Sequence, residues 1–156
     1  MKIADKENCV FICIDFDGCR LPAKGRPRFT RFGGVYTPAT TEYFERKIKA
    51  SYIDMYGNKK FDSRSPLRAE IEILHALPKN MSKKRKIELN CAPDTRKPDL
   101  DNVAKLVMDA LNGVAYDDDK QITSMSVSKV NTIAPYSTIY IYISEIKEVT
   151  HGTSCA

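Results

Sequence analysis

Lys97 to Ile122 reads KPDLDNVAKLVMDALNGVAYDDDKQI. Leu100, Val103, Val107, Ala110 and Leu111 recur at helical spacing and form one apolar stripe, which predicts a helix over residues 100–112 docked on a core. Asp99 or Asp101 caps its N-terminus, and Gly113 suits its C-terminal cap. From Asp99 to Asp119 there are six acids, Asp99, Asp101, Asp109, Asp117, Asp118 and Asp119, against one base, Lys105, in a chain of net charge +5. Gathered carboxylates repel unless a cation neutralises them, and a divalent metal is the usual cation for an all-oxygen donor set.

The flanking sequence supplies the rest of the fold. Cys9 to Phe16, CVFICIDF, is an apolar run of strand length rich in β-formers. Residues 18–38 carry four glycines and three prolines, so an irregular loop or short hairpin is expected there. Thr37-Pro38 opens a helix over 39–55, with apolar positions at Tyr43, Phe44, Ile48, Tyr52 and Met55, and Gly57-Asn58 ends it. From Leu67 to Ala76, Ala69, Ile71 and Ile73 alternate with Arg68, Glu70 and Glu72, the period of a half-buried strand. Residues 78–98 form a long basic connection with room for a turn of helix in MSKKRKIEL. Two strands close the pattern, 122–130 and 137–144, and their short link suggests an antiparallel hairpin. The order β-α-β-α-β-β predicts an α+β domain, a small mixed sheet with packed helices, over residues 1–146, with 147–156 a frayed tail.

The 156 residues suit one domain with a real core. No apolar run approaches the roughly 20 residues that span a bilayer. MKIADKEN has no signal-peptide character, which gives a cytoplasmic expectation. The five cysteines, Cys9, Cys13, Cys19, Cys91 and Cys155, form no CxxC and read as reduced thiols. His75 lies in an apolar strand and reads as a packed core residue, and no serine or cysteine pattern accompanies it for a triad.

Asp99 and Asp101 flank Leu100 at a helix start, where the helix dipole favours both as anions. Asp119 follows a turn and immediately precedes a strand. If that strand lies beside the helix N-terminus, the three carboxylates converge, and with waters and a substrate phosphate they suit Mg²⁺ or Mn²⁺. Lys105, four residues after Asp101, faces the same way. It either contacts the scissile phosphate or forms an ordinary i,i+4 ion pair. Asp109 reads as a helix-surface residue.

KPDLDNVAKLVMDALNG followed by DDKQI resembles the signature of the RusA-type Holliday-junction resolvases, a family common in prophages, and GRPRFTRFGGVYTP is similar to the N-terminal segment of its phage-type members. The resemblance spans residues 24–45 and 96–145. It implies a Mg²⁺-dependent endodeoxyribonuclease acting as a homodimer on four-way DNA junctions during recombination and repair. Asp99, Asp101 and Asp119 match the family's metal-binding acids and Lys105 its essential lysine, with Asp118, in the neighbouring acidic position, a candidate to assist them at the metal. Two symmetric cuts need two equivalent sites, which a two-fold dimer presents.

Two basic segments flank the acids. Arg20 to Arg31 holds five basic residues and no acid, and Lys79 to Lys97 holds seven against Glu88 and Asp94. Lys24, Arg26, Arg28 and Arg31, with Lys83, Lys84, Arg85, Lys86 and Lys97, are the expected contacts to the DNA backbone. Phe29 and Phe32, interleaved with the first group, read first as loop anchors and second as an aromatic wedge at the junction centre. Two other enzyme readings compete. A less selective nuclease for branched or flap DNA would use the same residues. A haloacid-dehalogenase-like phosphatase would use Asp15 as nucleophile and Asp17 as acid/base in VFICIDFDG, but that fold needs a helix soon after the motif, and Pro22, Gly25 and Pro27 oppose one.

Overall fold

The computed structural model describes residues 8–17, 20–25, 28–29, 31, 35–36 and 38–146. The tail expected to fray lies outside them. Elements follow in chain order as β1 (Cys9–Asp17), β2 (Arg28–Phe29), β3 (Val35–Tyr36), α1 (Ala39–Tyr56), β4 (Leu67–Ala76), α2 (Lys83–Leu89), α3 (Leu100–Leu111), β5 (Ile122–Thr132) and β6 (Tyr136–Glu145). A 3₁₀ turn, Asp119–Gln121, leads into β5. The expected short hairpin is β2 paired with β3.

The main sheet has four strands in the order β1-β6-β4-β5, with β4 and β5 parallel and the other pairs antiparallel. It is the expected mixed sheet of an α+β domain. The expected β5–β6 hairpin is not formed, because β4 lies between the two strands. Composition explains the arrangement. Strand β6 alternates Ile139, Ile141 and Ile143, all fully buried, with the half-buried Tyr140 and Tyr142, and so suits an interior position. Strand β5 shows Thr123, Ser124, Met125 and Ser126 to solvent and suits an edge. The link 133–135 crosses the end of β4, two strand spacings or about 10 Å, which is within reach of an extended segment this short.

Rows of side chains run across the sheet. Ile12, Ile141, Ile71 and Val127 stand in one row, and Ile14, Ile139, Ile73 and Lys129 in the next. These rows join one core with Ile48 and Tyr52 of α1 and with Val103, Leu106, Val107 and Leu111 of α3. Both helices therefore bury their stripes on one face of the sheet. The stripe of α1 is narrower than its sequence suggests: Tyr43 and Met55, expected at the core, are more than half exposed. The other face carries Phe11, Cys13, Glu70, Glu72, Ser126, Ser128, Tyr140 and Tyr142. At the β1 edge the Tyr56 hydroxyl accepts from Phe11 N–H (2.8 Å) and donates to Phe11 C=O (2.9 Å), satisfying backbone groups that a further strand would otherwise pair.

Strand β1 is an edge strand antiparallel to β6, not the central parallel strand that the phosphatase reading requires. Asp15 lies at the strand end and accepts from the Thr138 hydroxyl at 2.7 Å. The dehalogenase-like alternative is set aside on this topology.

Candidate active site

Asp99 is the N-cap residue of α3, with extended backbone (φ −67°, ψ 143°) and no side-chain capping bond. Its carboxylate is therefore not spent on the helix. Both of its oxygens face the Lys97 ammonium, at 3.0 and 3.1 Å, in an exposed pair. The carboxylate thus presents both oxygens to a cationic group. Asp101 lies in the first turn and is exposed. Lys105 is exposed one turn further in, and no ion pair joins it to Asp101 among the described residues. The ordinary i,i+4 reading of this lysine is thus not realised, and its charge remains available.

The acidic run after α3 divides by role. Asp117 pairs with Lys60 at 2.5 Å. Asp118 caps the 3₁₀ turn, accepting from Lys120 N–H at 3.0 Å, while Gln121 Oε1 accepts from Asp117 N–H at 2.9 Å and bonds back to the cap. This is a capping box, and the D-x-x-Q spacing of the sequence is the signal that could have found it. The Lys120 N–H, and then the Lys120 ammonium, hold the Asp118 carboxyl below its ordinary range. Buried Gln121 also donates to Asp62 C=O at 2.8 Å and fastens the turn to the loop before β4. Asp119 alone of the three is exposed with no ion pair among the described residues.

The three expected ligands do not meet within one chain. Pro98 C=O, just before Asp99, bonds Lys129 on β5, so the N-terminus of α3 lies beside residues 127–129. Asp119 lies at the other end, next to the start of β5 at Ile122. Tyr116 marks that end too: its hydroxyl donates to Met108 C=O at 2.8 Å, and burial, followed by the nearby Asp119 and Asp109 charges, raises its pKa. Helix and strand thus run in opposite directions. The 12 residues of α3 span about 18 Å at 1.5 Å per residue. The strand begins at the end of the helix opposite to the one that convergence would need. Among the described residues no group of three or more His, Cys, Asp or Glu side chains is arranged to hold a metal ion.

The basic residues also separate. Lys24 is tied at 2.6 Å to Glu45 of α1 and at 2.7 Å to Asp109 of α3, so its charge is neutralised and it pins the loop to both helices. Burial opposes its charge, but those two carboxylates outweigh burial and raise its pKa. Gly25 follows because a Cβ there would stand 2.9 Å from the Thr41 hydroxyl, which Gly25 N–H bonds. Arg31 is exposed. Arg26 and Phe32 lie outside the described residues, and Arg28 and Phe29 are described only as backbone of β2. Lys83, Lys84 and Arg85 are exposed on α2, a helix with no buried residue, while Lys86 is half-buried and bonds Lys79 C=O at 3.3 Å. Sequence reasoning missed a buried cluster behind Asp99. There Asp94, with its side chain 1 % exposed, gathers His75, Arg96 and Lys129.

The α+β domain thus sets two exposed acids, Asp99 and Asp101, at a helix start between basic surface segments. The chain is a member of the endodeoxyribonuclease RusA family, whose model matches residues 20–143 and so includes Asp99, Asp101, Lys105 and Asp119. It is also similar to the uncharacterized protein YqaN of Bacillus subtilis (strain 168), 34% identical over 131 residues that cover 79% of this chain and 91% of YqaN.

Proposed function

We propose that this chain is a divalent-metal-dependent endodeoxyribonuclease that resolves four-way DNA junctions by paired symmetric nicks, as a cytoplasmic homodimer serving DNA recombination and repair. The observation that carries the reading is the set Asp99, Asp101 and Lys105 on exposed positions at the start of α3, inside the family match. Asp99 and Asp101 would hold Mg²⁺ or Mn²⁺: the donors are all oxygen, and Mg²⁺ sites use one or two carboxylates with waters and substrate phosphate. The ion, when bound, would activate water and neutralise charge on the phosphate. Lys105 would meet the scissile phosphate or the leaving oxygen.

Asp119 lies beyond the end of α3 opposite Asp99 in the same chain, and the acids form no group of three there among the described residues. It joins the other two acids only if a second copy supplies it. A two-fold dimer in which each copy offers Asp119 to the partner's Asp99 and Asp101 makes two equivalent sites, matching two symmetric cuts. Asp118, spent on its cap, is left out of the ligand set.

Arg26, Arg28, Arg31, Lys83, Lys84, Arg85, Lys86 and Lys97 would grip phosphates without reading bases. Affinity should fall steeply with salt. Lys83→Ala with Lys84→Ala should reduce the slope of log affinity against log salt by about 2, one for each phosphate that the variant no longer neutralises. An unchanged slope would remove α2 from the DNA surface.

The reading is tested by comparing an immobile four-way junction, a flap and a linear duplex, each with Mg²⁺ and with EDTA. Paired nicks confined to the junction and abolished by EDTA are expected. Equal cutting of the flap would favour the less selective nuclease, and cutting in EDTA would overturn metal dependence.

A further inference from the structure

The segment 92–98 that delivers the chain into Asp99 is fastened from behind. Asp94 Oδ1 accepts from Arg96 N–H (3.1 Å) and Arg96 Nε (2.8 Å), and its Oδ2 meets His75 Nδ1. Arg96 then spreads over β4 and β5, donating to Ala76 C=O at 3.0 Å and Asn131 Oδ1 at 2.9 Å. Asn131 in turn donates to Ala92 C=O at 3.1 Å. Lys129, 7 % exposed at its side chain, sends its ammonium to Arg96 C=O and, at 2.7 Å, to Pro98 C=O, with Asp94 Oδ2 3.8 Å away.

This arrangement costs desolvation. A buried carboxylate and ammonium are expensive unless paired and fully hydrogen-bonded. Here no buried side-chain polar atom among the described residues lacks a partner. Burial alone would raise the Asp94 carboxyl, but the bonds from His75 and Arg96 outweigh it and hold its pKa below the ordinary value. Apolar residues would serve packing at this site more cheaply. What the polar cluster adds is direction: it fixes the carbonyls on either side of Lys97, and Pro98 C=O belongs to the peptide that begins Asp99. Asp99 has no capping bond of its own to fix it. A metal ligand must be held within about 0.5 Å of its productive place.

We infer that Lys129, together with Arg96 and His75 gathered on Asp94, is a positioning device that fixes the backbone at Pro98 so that Asp99 and Asp101 meet the metal in register. The inference rests on the proposed metal-dependent cleavage. Groups that orient metal ligands in this way change metal affinity or activity by about 10- to 100-fold when removed.

The test uses the full chain and a four-way junction. Lys129→Met keeps the stem and removes the ammonium. It should raise the Mg²⁺ concentration for half-maximal cleavage at least about tenfold, and lower turnover, while junction affinity in EDTA stays within about twofold. Lys129→Arg, which still donates to both carbonyls, should recover most of the loss. If Lys129→Met does not fold, Arg96→Lys carries the same test, since it keeps the charge beside Asp94 and removes the fork. A Mg²⁺ requirement unchanged from wild type in the folded variant would overturn the inference. So would parallel loss of thermal stability and junction affinity with no recovery by arginine, because that marks structure alone. A wild-type chain that cuts no junction would instead defeat the proposed function itself.

Discussion

Asp101→Asn is expected to slow junction cleavage roughly 10³-fold, about 4 kcal/mol of transition-state stabilisation, while junction affinity in EDTA stays within a few-fold of wild type. The substitution is nearly isosteric, and the Asp101 side chain is exposed in the first turn of α3. The fold loses only a favourable meeting of charge with the helix dipole, about 0.3–1 kcal/mol. Chemistry loses much more, because an amide cannot neutralise a divalent cation. Lys105→Met should behave alike on a smaller scale, about 10²-fold, since general catalytic contributions of single side chains start there. A contrast comes from Asp109 on the same helix. Its carboxylate holds Lys24 at 2.7 Å, so Asp109→Asn should loosen the N-terminal loop and lower the unfolding midpoint rather than remove the chemical step. Cleavage of a labelled junction and a mobility-shift assay in EDTA read both quantities. Full activity of Asp101→Asn would reject the site assignment, and loss of binding would give Asp101 a structural role.

The parts of the fold legible in sequence are those whose side chains carry a single period. Strand β4 and helix α3 stand within a residue of their expected bounds, because alternation in one and a single apolar stripe in the other leave no competing register. Strand order was not legible from chain proximity: the short link after β5 invites a hairpin. The information lay instead in composition. Serines on β5 mark an edge, and isoleucines alternating with tyrosines on β6 mark an interior strand. The stripe of α1 was misread because Tyr43 and Met55 count as apolar whether or not a neighbour covers them.

The site was legible to the extent that one motif could carry it. Asp99 is the N-cap of α3, Asp101 lies in its first turn and Lys105 one turn on, so local spacing places them. Asp119 lies 18 residues beyond Asp101, and its direction from α3 depends on how β5 runs, which no local period encodes. The cluster on Asp94 was hidden for the same reason. Its members come from β4, the 92–98 segment and β5, and only tertiary packing reveals that Lys129, on an edge strand, turns its ammonium inward.

The distance between Asp99 and Asp119 gives the second large effect. Chains carrying Asp101→Asn and chains carrying Asp119→Asn should each be inactive alone, yet regain nicking when mixed and allowed to exchange subunits. In a mixed dimer with shared sites, one site receives both altered residues and the other receives neither. Equal mixing makes half the dimers mixed, so about a quarter of all sites are intact. Because each mixed dimer has a single working site, it should nick one strand of the junction and leave the paired product scarce. Against inactive parents the gain is large, roughly two to three orders of magnitude, and a gel that separates nicked from resolved junction reads both features at once. If each chain held its own complete site, every site in the mixture would carry one altered acid and nothing would be regained. If Asp119 were not a ligand, Asp119→Asn alone would cut normally. The three outcomes are distinct, and the second is the one that does not fit a helix with Asp99 and Asp101 at one end and Asp119 beyond the other.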